Sequence, residues 1–247
     1  MINIVIPMAG AGSRFVNAGY NKPKPFIDVL GQTMISRVLD NINIKNARYI
    51  LVARKEHMET EPEIIKNILN SYNAEFITID KLTEGAACTV LHAHKLINSD
   101  DPLFIANSDQ IVDISLQDYV NDALDRNLDG SILTFKDNHP KWSYAKVNDQ
   151  NFVTEVREKE VISEFATVGI YFFSKGSTFV NSSLDMIVRN DRVNNEFYVC
   201  PVYNYSIKSG AKIGVYNIDS AQMHGTGTPE DLNAYIDVLK SRNSCNV

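Results

Sequence analysis

The chain has 247 residues, 44% of them hydrophobic and 22% charged, which is the composition of a folded globular protein and excludes a disordered chain. Its 30 acidic residues outnumber the 24 basic ones and give a net charge of −6, which argues against nucleic acid as a partner. The apolar runs are too short to cross a membrane and no signal-peptide pattern follows Met1, so we expect a cytoplasmic protein without a membrane partner.

Short apolar runs alternate with helix-period segments through the first half of the chain. This order predicts a mainly parallel sheet with helices on both faces. Ligands of such sheets bind beyond the carboxyl ends of the strands. The predicted strands cover about 2–7, 48–53, 75–79 and 102–106, and the predicted helices cover about 33–43, 56–70, 85–97 and 115–127.

The second half of the chain changes character. Short strands with polar connections predict an antiparallel extension of the sheet. A final helix is expected from Pro229, because Thr228 suits the N-cap and proline suits the first helical position. The predicted strands cover 131–136, 144–148, 152–157, 166–174 and 212–218, and two helices cover roughly 175–190 and 195–208.

A glycine-rich turn follows the first predicted strand. It reads Met8-Ala9-Gly10-Ala11-Gly12-Ser13-Arg14-Phe15, and Lys22-Pro23-Lys24-Pro25 follows about ten residues later. Glycines let backbone N–H groups approach a polyphosphate, and the cations add positive charge. The dinucleotide-binding pattern needs a glycine where Phe15 stands, and the P-loop needs a Gly-Lys-Ser/Thr sequence that the turn lacks. The glycines alone leave a phosphate site and an ordinary tight turn equally open.

The complete pattern resembles the opening signature of the nucleotidyltransferases that make nucleoside-diphosphate sugars and related activated head groups. The resemblance continues along nearly the whole chain. It implies a Rossmann-like α/β fold with a mixed, mainly parallel sheet flanked by helices. It implies one domain over 1–247, with a nucleotide-binding half at 1–130, an acceptor-binding half at 131–240 and a frayed tail at 241–247.

Within the family, the compact chain is similar to the cytidylyltransferases that supply capsule and cell-surface polysaccharide synthesis. The resemblance implies that an NTP, with CTP favoured, and a small phosphorylated acceptor are the substrates, that pyrophosphate is released and that Mg²⁺ is the cofactor. It leaves another NTP with a sugar 1-phosphate as the alternative, and it leaves a homodimer open.

The resemblance also implies roles for individual residues. Arg14 and Lys24 would stabilise the leaving pyrophosphate, Lys159 would bind the acceptor's phosphate, and Asp109 would bind the metal. Each motif has a structural alternative: a helix start, a turn cap, a surface pair or a packed strand. Nucleotide contacts are expected from Met8, Ala9, Gly10, Ala11, Gly12, Ser13, Glu84, Gly85, Ala86 and Ser108, and acceptor contacts from Glu158, Gly169, Tyr171 and Glu196.

One position departs from the family pattern. The family usually carries a second metal-binding Asp where this chain has Gly225. One carboxylate could suffice, or Asp219 or His224 could replace the missing ligand. We expect Asp219, because it follows the predicted strand 212–218 and Mg²⁺ prefers carboxylate oxygen to imidazole. His224 could equally contact the acceptor or be structural.

The missing Asp also keeps a different class of function open, a nucleotide-binding regulator without turnover. Arg14, Lys24, Asp109 and Lys159 together favour an enzyme, since a pure binder has little need of a leaving-group clamp and a metal site. A glycosyltransferase of the same fold would normally show a D-x-D motif, which Ser108-Asp109-Gln110 lacks.

Overall fold

Eleven β-strands and ten α-helices alternate along residues 1–244, the range that the computed structural model describes. The strands are β1 Ile2–Pro7, β2 Ala47–Arg54, β3 Ala74–Ile79, β4 Leu103–Ala106, β5 Gln110–Val112, β6 Gly130–Lys136, β7 Ser143–Val147, β8 Val153–Glu158, β9 Phe165–Phe173, β10 Ile213–Ile218 and β11 Met223–Gly225. The helices are α1 Ser13–Asn17, α2 Met34–Ile42, α3 Lys55–Thr60, α4 Pro62–Ser71, α5 Ala86–Leu91, α6 His94–Ile97, α7 Leu116–Asp125, α8 Gly176–Val188, α9 Val202–Lys208 and α10 Pro229–Ser244.

The main sheet is mixed and runs in the order β10-β6-β9-β4-β1-β2-β3. β1 pairs in parallel with both β2 and β4, and β2 pairs in parallel with β3. β9 is antiparallel to its neighbours β4 and β6, and the β7–β8 hairpin extends the sheet from β9. The predicted α/β fold with a mainly parallel sheet is therefore confirmed.

Both faces of the sheet are buried. In β1, Ile4 and Ile6 pack into one hydrophobic layer while Val5, between them, packs into the other. β4 is buried at all four positions. Successive side chains of a strand point to opposite faces, so helices must cover both sides, and the ligand site is left at the strand ends.

The structure changes three helix predictions. The predicted helix 56–70 is divided before Pro62, which has no N–H to donate, and 85–97 is divided between α5 and α6. The predicted helix 195–208 starts only after Pro201, because Asn194 and Asn195 adopt positive φ angles of 48° and 66° in a tight turn.

The C-terminal helix is longer than expected. α10 continues to Ser244, so 241–244 are helical rather than a frayed tail, and 245–247 lie outside the described residues. Among the helices of residues 1–244, none has both the length and the apolar character that a membrane span requires.

Candidate active site

The glycine-rich turn lines a cavity of about 460 Å³ at the carboxyl ends of β1 and β4. Gly12 precedes α1 with a φ of +62°, a conformation that favours glycine. A Cβ on Gly12 would also lie 3.3 Å from the Lys24 Cβ. The turn therefore keeps its backbone open to a ligand. The lining residues include the predicted catalytic residues Arg14 and Lys24 and the predicted metal ligand Asp109. The predicted nucleotide contacts that line it are Met8, Gly10, Ala11, Gly12, Ser13, Ala86 and Ser108.

Lys24 and Asp109 meet in this cavity, although they are far apart in the sequence. Lys24 opens a short 3-10 helix, and Asp109 follows the carboxyl end of β4. The Lys24 ammonium donates to the Asp109 carboxylate, and their side chains are only 19% and 16% exposed. The positive charge of Lys24 thus neutralises the carboxylate that the sequence predicts as a metal ligand.

A second cavity, of about 310 Å³, lies between the glycine-rich turn and the start of α5. Gly85 lines it with a φ of +118°, and a Cβ there would lie 2.6 Å from the Phe197 nitrogen. Phe197 N donates to Glu84 O over 2.7 Å, and Ala87 N donates to Phe197 O over 3.0 Å. These backbone hydrogen bonds therefore join the segment before α9 to the predicted nucleotide contacts around the start of α5.

Two predicted contacts lie elsewhere. The Glu84 carboxylate accepts a hydrogen bond from Arg192 over 2.8 Å, and Glu84 does not line the 310 Å³ cavity. Glu196, predicted to contact the acceptor, lines the 310 Å³ cavity instead. Ala9, predicted to contact the nucleotide, lines the same cavity. The positive-φ turn at Asn194 and Asn195 directs the chain back towards Gly85 and so places Glu196 at the 310 Å³ cavity.

A third cavity, of about 290 Å³, contains the other predicted acceptor residues Glu158, Lys159, Gly169 and Tyr171. The Lys159 backbone has a φ of +57° directly after β8, which turns its side chain off the strand direction. Its ammonium donates to the hydroxyl of Tyr198 over 2.7 Å.

Glu158 is a largely buried carboxyl on this side of the site. The Ser143 hydroxyl donates to it. Burial raises the pKa of Glu158 above its ordinary value, and the Ser143 hydrogen bond and the Lys159 charge oppose that shift. The 290 Å³ cavity therefore combines a lysine ammonium with a carboxyl that resists ionisation.

The 460 and 290 Å³ cavities adjoin each other, because Arg14, Ala86, Asn107 and Tyr198 line both. No role was predicted from the sequence for Asn107 or Tyr198, although they lie within two residues of the predicted site residues Ser108 and Glu196. A Cβ on Gly169 would lie 2.9 Å from the Asn107 Cγ, and Gly169 has a φ of +92°. Gly169 thus makes room for the Asn107 side chain, a role that only the packed structure reveals.

The structure does not bring Asp219 or His224 to Asp109. The Asp219 carboxylate caps its own turn by accepting from Ala221 N over 2.8 Å. Asp219 follows β10, three strand positions from β4, which is about 14 Å at ordinary strand spacing. His224 is hydrogen-bonded to Asp113 over 2.7 Å. The expectation that Asp219 replaces the missing ligand therefore has no support in this geometry.

A cation at Asp109 would have few protein ligands. Within residues 1–244, no three side chains of the His, Cys, Asp and Glu types are grouped as a metal site. The oxygen-bearing groups here are the Asp109 carboxylate and the Gln110 carboxamide. The carboxamide nitrogen lies 3.4 Å from the Asp109 Oδ1, and the carboxamide oxygen is buried and has no hydrogen-bond partner in the described range. Hard oxygen ligands completed by substrate phosphates suit Mg²⁺, so the residues present fit this metal.

Solved structures share this fold. A nucleoside-diphosphate-sugar pyrophosphorylase from Vibrio cholerae RC9 superposes with a TM-score of 0.83 at 22% identity, over 95% of this chain and 99% of the other. UDP-glucose pyrophosphorylase complexed with UDP-glucose superposes with a TM-score of 0.79 at 15% identity, over 98% and 100% of the two chains.

Sequence comparison identifies the family. The UTP–glucose-1-phosphate uridylyltransferase AglF of Haloferax volcanii is 25% identical over 92% of both chains. The bifunctional protein GlmU of Methanococcus aeolicus is 29% identical over 70% of this chain, which matches only 40% of the GlmU length. The nucleotidyl transferase family pattern matches residues 4–198. The match covers more than half of the chain, so the chain belongs to the nucleotidyl transferase family.

Proposed function

We propose that the chain transfers a nucleoside monophosphate from an NTP to a small phosphorylated acceptor and releases pyrophosphate. The observation that carries this proposal is the junction of the 460 and 290 Å³ cavities at Arg14 and Tyr198. An α-phosphate in the glycine-rich turn and an acceptor phosphate near Lys159 would be adjacent there. Holding two reactants in such a geometry supplies a large part of the catalysis of a group transfer.

The reaction is an attack by an acceptor phosphate oxygen on the α-phosphorus, which forms one P–O bond and breaks the bond to pyrophosphate. The attacking oxygen is already anionic, so no general base is needed. The side chains position the reactants and neutralise charge. Lys159 orients the acceptor, while Arg14 and Lys24 stabilise the negative charge that accumulates on pyrophosphate.

Asp109, with the Gln110 oxygen beside it, would hold Mg²⁺, which when bound neutralises the phosphate oxygens of the nucleotide. In the structure the Lys24 ammonium is paired with the Asp109 carboxylate. With a cation bound to that carboxylate, the Lys24 ammonium would be free to contact the phosphates. In this exchange the cation would neutralise Asp109 and the phosphates would neutralise Lys24, so neither charge of the ion pair is left without a partner.

For the substrates we propose CTP and a small phosphorylated head group in capsule or cell-surface polysaccharide precursor synthesis, with phosphoglutamine as the first acceptor to test. The support is the sequence resemblance to cytidylyltransferases of that kind. The names of the relatives support a second candidate, a sugar 1-phosphate with another NTP: AglF is named for UTP and glucose 1-phosphate.

The test is a matrix of the four common NTPs against phosphoglutamine, phosphocholine, glucose 1-phosphate and mannose 1-phosphate, read as pyrophosphate release. We expect release only when an NTP and an acceptor are both present, greatest with CTP and phosphoglutamine. Preference for a sugar 1-phosphate with another NTP would replace the first candidate by the second. Nucleotide binding without release in any combination would contradict the proposed activity and favour a regulator.

A further inference from the structure

Gln110 faces the position at which the family's second metal-binding Asp is missing. It is the first residue of β5 and is paired with Gly225 of β11 in antiparallel register. Directly opposed residues of an antiparallel pair project to the same face of the sheet. The nearest atom to a Cβ built on Gly225 is the Gln110 Oε1, at 3.7 Å. The Gln110 carboxamide therefore lies beside the space that a side chain at 225 would use.

The Gln110 oxygen has no partner of its own. The side chain belongs to a residue only 9% exposed, and Oε1 is without a hydrogen bond among residues 1–244. The amide nitrogen lies 3.4 Å from the Asp109 Oδ1. A buried carbonyl oxygen left unpaired costs free energy, and in native proteins such an atom usually has a bound water, an ion or a functional role.

We propose that the Gln110 carboxamide oxygen is the second protein ligand of the divalent cation, beside Asp109. The inference rests on the proposed function, since the cation would arrive with the nucleotide. Side-chain amide oxygens are ordinary ligands of hard cations, and Mg²⁺ commonly takes few protein ligands. Without the cation, the amide nitrogen faces the Asp109 carboxylate. A half-turn of the carboxamide would place its oxygen on that side, where it could contact a cation bound to Asp109.

A neutral ligand has a measurable consequence. Gln110 contributes an oxygen without the negative charge that an Asp at 225 would add. The protein alone should therefore bind the cation weakly and depend on nucleotide phosphates to complete the site. A carboxylate at 110 should strengthen cation binding in the absence of nucleotide, because it supplies that missing charge.

The experiment is an Mn²⁺ titration followed by electron paramagnetic resonance, with and without the non-reacting analogue α,β-methylene-CTP. Gln110→Leu keeps the approximate volume and removes the oxygen, and we expect its Mn²⁺ affinity to fall about tenfold or more. Gln110→Glu should bind Mn²⁺ more tightly than wild type. Gln150→Leu, at an exposed glutamine, is the matched control and should leave the affinity unchanged.

Gln110→Asn withdraws the amide oxygen by one methylene and should also weaken Mn²⁺ binding, which covers the case in which Gln110→Leu does not fold. Equal Mn²⁺ affinity of wild type and a folded Gln110 variant would overturn the ligand role and leave the proposed function standing. Failure of the wild type to bind the analogue would instead contradict the choice of nucleotide. In that case the titration with Mn²⁺ alone tests the role of Gln110. Equal Mn²⁺ affinities of wild type and the variants in that titration would overturn the ligand role.

Discussion

Gly85→Ala should detach the segment before α9, which contains Phe197 and Tyr198, from the start of α5 at the 310 Å³ cavity. Gly85 has φ +118° and ψ 172°, a region that is essentially restricted to glycine. An alanine Cβ would also lie 2.6 Å from the Phe197 nitrogen, closer than real Cβ atoms approach. The substitution therefore strains the backbone at residue 85 and forces the Phe197 backbone to move.

The magnitude follows from two contributions. Holding a non-glycine residue in this backbone region costs about 1–3 kcal/mol. Moving Phe197 breaks its hydrogen bonds to Glu84 and Ala87, which contribute roughly 0.5–1.5 kcal/mol each. Gly210→Ala is a matched control, because Gly210 has φ +91° but no atom within 4 Å of an added Cβ. The excess effect of Gly85→Ala over this control should be about 1–3 kcal/mol.

Hydrogen–deuterium exchange read by mass spectrometry measures this detachment directly. The amides of Ala87 and Phe197 should lose protection by a factor of about 5 to 150 in Gly85→Ala relative to Gly210→Ala. Pyrophosphate release should fall in the same variant, since the displaced segment carries Tyr198 between the cavities. Equal protection of the Phe197 amide in the two variants would refute the reasoning.

Four other substitutions test the site. Asp109→Ala should fold normally but lose turnover by about two orders of magnitude or more, because the cation is misplaced; normal pyrophosphate release would remove the assignment. Arg14→Ala and Lys24→Ala should lower kcat more than they raise KM, since their contacts strengthen as charge moves onto pyrophosphate; an effect on KM alone would limit them to ground-state binding. Burial raises the pKa of Glu158, so the folded chain holds this proton more tightly than the unfolded chain. Wild type should therefore lose free energy of unfolding relative to Glu158→Gln as the pH rises above the ordinary Glu value of 4.5, whereas parallel urea-titration profiles would contradict this.

The sheet and much of the lining of the 460 Å³ cavity could be predicted because their signals are local. The strand Leu103–Ala106 is a continuous apolar run, and a parallel strand buried on both faces requires such a run. Asp109 follows the strand after only two residues, so its place at the ligand edge follows from the fold class. Gly12 could be recognised in the same way, since a tight turn after β1 needs a positive φ.

The errors concern contacts between distant segments. Periodicity predicted a helix from 195, but two asparagines with positive φ angles and the backbone bonds to Glu84 hold this segment as a loop. The β5–β11 pair is three residues long in each strand, too short for a period-2 pattern. That pair sets Gln110 opposite Gly225. Sequence reasoning could therefore identify the missing Asp, but it predicted Asp219 as the replacement ligand. In the structure the Asp219 carboxylate caps a local turn.

The most direct test of the proposed reaction follows an oxygen label. The acceptor phosphate is prepared with ¹⁸O, and the products with NTP are separated and weighed by mass spectrometry. If an acceptor oxygen attacks the α-phosphorus, all the label stays in the nucleotide–acceptor product, including the new bridging position, and pyrophosphate is unlabelled. Label in pyrophosphate, or formation of free NMP that takes its oxygen from water, would contradict nucleotidyl transfer to the acceptor.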